Sequence, residues 1–105
     1  MRILNPRNYK LYPDITEGQL SKVGFRRNQF SRYIYKDMVQ FIMEIDLESE
    51  TWDYQVYDTD KDAPYSPYYN REFGVNTVIL KIEKEIQKII RKMQREKILM
   101  SKRRI

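Results

Sequence analysis

The residues Asp58-Thr59-Asp60-Lys61-Asp62 set three carboxylates at alternate positions. That is the spacing with which a calcium loop begins, and the same carboxylates could hold a magnesium ion of a nuclease-like centre, though no Lys or Glu at telling spacing accompanies them. The rest of such a loop does not follow. Ala63 stands where the sharp turn needs Gly, and Tyr69 stands where a bidentate Glu would close the coordination sphere. A solvated acidic turn without metal is therefore expected. The chain has no His and no Cys, which removes imidazole acid–base catalysis, thiolate nucleophiles and Cys/His zinc sites. Carboxylate, Lys and Tyr chemistry survive, but no motif arranges them. The expectation is a non-catalytic protein without a cofactor.

Charge is the more telling pattern. Residues 1–36 sum to +6, 37–62 to −8 and 71–105 to +7, so an acidic middle lies between basic ends. In the last segment Lys81, Lys84, Lys88, Arg91, Lys92 and Arg95 fall on one arc of roughly 100° when read as a helix, and Lys102, Arg103 and Arg104 follow. Such a ridge is a solvated helix face in its plainest reading. In its functional reading it tracks the phosphates of a nucleic acid, because Lys and Arg in line displace counterions without touching a base.

A second surface competes with it. Tyr65, Tyr68 and Tyr69 sit in a loop braced by Pro64 and Pro67, and tyrosines in stiff loops give recognition area at low entropic cost. Leu80, Ile98 and Leu99 fall outside the apolar stripe of the same helix. Together these six predict a surface for a protein partner or for self-association, and this is the first functional expectation. Nucleic-acid binding by the ridge is the alternative. The loop has a plainer role too, as a lid over an open sheet edge. Glu44, Asp46, Glu48, Glu50 and Asp53 keep edge strands from pairing with neighbours in their plainer reading, and imitate phosphates in the other.

The elements that must hold these residues follow from periodicity. Residues 1–14 contain Pro6 and Pro13 and show no period, so they predict an irregular arm. Thr16 is an N-cap and Gly24 a stop for a short helix over 16–23. In 39–47 every odd residue is apolar, which predicts a strand with Val39, Phe41, Met43, Ile45 and Leu47 on one face. Residues 51–57 alternate again, with Trp52, Tyr54 and Val56 inward, and 30–36 predict a strand ahead of them. Residues 58–74 read as a long irregular connection. From Val75, behind Asn76 as N-cap, to about Leu99, apolar residues fall in a stripe of about 120°. Such a helix overhangs a domain of this size, leaving 100–105 as a basic tail.

These elements give an α+β fold in the order α-β-β-β-α, with the long C-terminal helix on one face of an antiparallel meander. The 105 residues are read as one domain. With no apolar targeting segment and no long apolar run, the protein is expected in the cytoplasm, away from membranes. The order α-β-β-β-α is shared with double-stranded RNA-binding domains. Those have a Gly-Pro-x-His turn and open their last helix with Lys-Lys-x-Ala-Lys, whereas this helix opens Asn76-Thr77-Val78-Ile79-Leu80. The shared order is topology and assigns no family. In size, charge and richness in Lys, Ile and Tyr the chain is similar to many short proteins of phages and mobile elements.

Overall fold

The computed structural model describes residues 8–69 and 77–102. Three strands form the predicted meander: β2 (Gln29–Ile34), β3 (Val39–Asp46) and β4 (Thr51–Asp58), each antiparallel to the next. Two registers, Phe30↔Met43↔Tyr54 and Phe41↔Val56, line up the apolar residues across the strands. A slip of one residue would turn every one of them to solvent, so burial itself fixes the pairing. Val39, Phe41, Met43, Ile45, Tyr54 and Val56 are buried, as alternation predicts, and Trp52 and Leu47 are half-buried at the margin.

The C-terminal helix α3 (Thr77–Arg95) closes this face. Its Ile79, Ile82, Ile86, Ile89, Ile90 and Met93 are buried in one core with the sheet residues. Each such side chain contributes roughly 1.5–3 kcal/mol by leaving water. The short helix α1 (Glu17–Lys22) adds Leu20 to that core. Its N-cap is Thr16, whose side chain accepts from the Gln19 N–H, as predicted. At its far end Phe25 N–H donates to Leu20 O and Gly24 N–H to Ser21 O, with Gly24 at φ 110. This is a Schellman ending on the expected glycine.

Three short strands exceed the expected count. Tyr9–Leu11 is β1, so the arm over 1–14 is not irregular throughout, and it pairs antiparallel with β6 (Leu99–Ser101). Ala63–Pro64 is β5, on the outer edge of β4. The β1–β6 ribbon docks on the sheet through Trp52, whose indole N–H donates to Tyr9 O at 3.2 Å while the two rings meet edge to face.

The helix therefore ends before the predicted overhang. Ile98 N–H donates to Met93 O and Lys97 N–H to Gln94 O, a second Schellman ending with Lys97 at φ 60 where glycine is usual. Because the stop carries no glycine, residue types hide it. Two contacts offset the strained lysine. Ile98 is buried beside Met93, and the Gln19 amide reaches from α1 to donate to Glu96 O and Lys97 O. The expected N-cap Asn76, and Val75 before it, lie outside the described residues, as do Arg103 and Arg104 of the tail. The expected tail at 100–105 begins inside β6.

Two substitutions at this stop should act in opposite directions in urea unfolding. Ile98→Ala should lower stability by about 2–5 kcal/mol, as for a buried isoleucine. Lys97→Gly, which relieves a left-handed side chain, should raise it by about 1 kcal/mol.

Candidate functional site

Two polar features stand on α3, one inside the protein and one outside. The inner one is built on Glu83, a buried carboxylate with 6% of its surface exposed. Its Oε1 accepts from the Tyr68 hydroxyl at 2.7 Å, and Gln87 Nε2 lies 3.5 Å from its Oε2. Tyr68 belongs to α2 (Ser66–Tyr69). With its one proton committed to Glu83, Tyr68 accepts from the Tyr54 hydroxyl of β4 at 2.9 Å. Burial pushes both phenols well above the ordinary tyrosine range, with the neighbouring Glu83 charge raising them further. The phenols therefore stay neutral, Tyr68 donating to a carboxylate that burial would otherwise penalise and Tyr54 donating to Tyr68.

This network explains the tyrosine loop. Tyr68 is fully buried rather than displayed. Tyr69 keeps 42% exposure, yet its hydroxyl accepts from Val56 N–H at 2.8 Å, while Tyr65 N–H donates to Val56 O at 2.8 Å and Tyr65 itself is half-buried. The loop thus satisfies both outward backbone groups of Val56 and covers that part of the β4 edge. Of the remaining residues expected at a partner surface, Ile98 and Leu99 are fully buried, because the chain turns back after Arg95 and carries them into the core. Leu80 remains exposed at 42%.

The outer feature is the basic ridge. Lys81, Lys84, Lys88, Arg91 and Arg95 are exposed, Lys92 is half-buried and Lys102 is exposed beyond β6. At its N-terminal half the ridge forms one wall of a groove of about 410 Å³, lined by Lys81, Lys84, Glu85 and Lys88 from α3 and by Tyr35 and Lys36 from the β2–β3 turn. Glu85 is the sole carboxylate in this lining, and its Oε2 accepts from Tyr35 N–H at 2.9 Å. The turn is unusual. Tyr35, Lys36 and Asp37 have φ of 51, 57 and 64, left-handed values without a glycine among them. It is closed by Met38 N–H to Tyr35 O and pinned by the Thr59 hydroxyl to Asp37 O and Met38 O. Tyr35, Lys36 and Glu85 escape sequence reasoning, since only the register of β2 brings the turn to the middle of α3.

The three alternating carboxylates have a local role. Asp58 Oδ1 accepts from the N–H groups of Asp60 and Lys61, ordering the turn into β5. Among the described residues no group of three His, Cys, Asp or Glu gathers to hold a metal ion, and no helix is long and apolar enough to cross a membrane.

No family model matches the chain, and no curated protein does. Among solved structures, the crystal structure of a DUF1831 family protein from Lactobacillus plantarum is similar, with a TM-score of 0.64 and 14% sequence identity over 89% of this chain and 85% of that one. At that identity the likeness shows the fold.

The buried phenols predict an alkaline transition. A group whose folded pKa is raised contributes stability that is complete below its unfolded value, near 10 for tyrosine, and lost as pH rises above it. Urea midpoints should be level from about pH 7 to 9 and fall above about pH 10. Tyr68→Phe should cost about 1–3 kcal/mol at neutral pH and flatten the alkaline fall.

Proposed function

We propose that this is a small non-catalytic binding module that holds the phosphate backbone of a nucleic acid against the basic face of α3. The observation that carries the reading is the exposed row Lys81, Lys84, Lys88, Arg91 and Arg95. At 1.5 Å per residue the row is about 21 Å long. Lys36 joins it from across the groove, and the one carboxylate there, Glu85, has an oxygen engaged by the Tyr35 backbone. Five or six cations spaced along a rigid helix suit a polymer of phosphates better than a single small anion. The surface expected for a protein partner keeps Leu80 and part of Tyr69 but loses Tyr68, Ile98 and Leu99 to the core. The basic face therefore carries the proposal, and a cytoplasmic location goes with it.

The test is an anisotropy titration of labelled DNA and RNA at several salt concentrations. Neutralising about five phosphates gives a log–log slope of about −3.5 on a single strand and −4.5 on a duplex. The expected loss from about 50 to 200 mM salt is thus about 10²–10³-fold. Lys88→Glu combined with Arg95→Glu should weaken binding at least about tenfold and reduce the slope by about two units. Binding that is indifferent to salt and to these two changes overturns the reading; capture of an acidic protein in place of nucleic acid would redirect it.

A further inference from the structure

Resting on that reading, we propose that the groove between the β2–β3 turn and α3 selects a single strand over a duplex, taking one nucleotide between the lysines with its base against Tyr35. Three observations point the same way. The first is shape. The groove is an open depression of about 410 Å³ lined from two elements, with room to seat one base against its lining without enclosing it. A lone strand can lay an unstacked base into such a depression, whereas a duplex keeps its bases stacked and paired inside. The ridge beyond it, from Arg91 to Arg95, is an exposed helix face whose counterion release is larger on a duplex, so it does not by itself favour a single strand.

The second is chemistry. Lys36, Lys81, Lys84 and Lys88 against Glu85 leave the lining with three net positive charges, and the one aromatic in it is Tyr35. A basic groove with an aromatic wall is the combination by which proteins bind single strands without reading sequence, since every base has a face to stack. Tyr35 is half-buried, packing against the core while also lining the groove.

The third is strain. Three consecutive left-handed residues without glycine are costly, and they persist only where their surroundings hold them. Here Glu85 fastens the turn from the helix side and Thr59 from the β4 side. A relaxed turn would favour Asn-Gly in place of Lys36-Asp37. Pinning this one holds Tyr35 and Lys36 in the groove lining before a ligand arrives, so no ordering cost falls on binding.

The experiment titrates wild type, Tyr35→Leu and Tyr35→Phe with a labelled oligonucleotide of about 12 nucleotides, alone and annealed to its complement, at one salt concentration. Leu fills the packing volume but has no face for stacking. The wild type should prefer the single strand by about tenfold or more, Tyr35→Phe should keep that preference, and Tyr35→Leu should erase it while duplex affinity stays unchanged. The unchanged duplex affinity also reports that the variant is folded. Equal affinity of the wild type for both forms overturns the groove and leaves the ridge standing. A single-strand preference that survives Tyr35→Leu overturns the stacking role. Absence of binding to either form removes the groove and the ridge together.

Discussion

A meander with most of its apolar residues on one face has that face to hide, and much else in this protein is arranged around hiding it. Val39, Phe41, Met43, Ile45, Tyr54 and Val56 make that face, and α3 supplies the apolar stripe that covers it. The helix buries residues about 120° around its axis, so its opposite arc must tolerate water. Lysine and arginine meet that demand, having long side chains and good helix propensity. A row of cations on the outer arc is thus a by-product of packing before it is anything else. What packing does not require is that nearly all of the outer arc carry one sign, or that Lys36 should face it from another element.

The same constraint explains where α3 ends. Met100 continues the apolar stripe at helical spacing, but Ile98 and Leu99 fall outside it, and a straight helix carrying them would leave both in water. Folding back buries Ile98 and Leu99 completely and pairs Leu99–Ser101 with the N-terminal Tyr9–Leu11. The gain is two buried side chains and a ribbon sealed by the Trp52–Tyr9 hydrogen bond, set against the strain of Lys97 in a left-handed conformation. Burial of one isoleucine alone outweighs that strain. The buried Glu83 belongs to the same logic. It faces inward on α3 and is tolerable because Tyr68 arrives from α2 to donate to it, held in turn by Tyr54 of β4, which commits Tyr68 to a structural task.

How much of this could be read in advance depends on the range of each signal. The strand at 39–47 and the buried stripe of α3 are written in local alternation, which any sheet or helix must obey. Thr16 and Gly24 announce α1 in the residues themselves. By contrast, β1 and β6 are three residues each and exist only because they meet; neither has a period long enough to detect. Lys97 ends a helix in the manner of a glycine, so the stop was invisible. For the candidate site, helical spacing alone identifies Lys81, Lys84, Lys88, Arg91 and Arg95. Tyr35, Lys36 and Glu85 needed the register Ile34↔Val39, which sets where the hairpin tip falls against the helix. Nothing local to Tyr68 marks it as buried, because its partner, Glu83, lies 15 residues away.

Charge on the other side of the sheet bears on how a polyanion would approach. Glu44, Asp46 and Asp53 alternate with the buried residues of β3 and β4, so they point away from α3, and all three are exposed. Glu44 and Asp53 are directly opposite each other in the register. Like charges so placed cost stability rather than adding it, and outward Gln or Thr would serve the sheet as well. On the proposed reading, their repulsion has a use. It makes the outer sheet face unattractive to phosphate and leaves the α3 side as the favourable approach, so the field of the whole molecule orients the encounter before any contact forms. The acidic hairpin and the basic helix then act as two halves of one asymmetry, with the sheet between them keeping the charges apart.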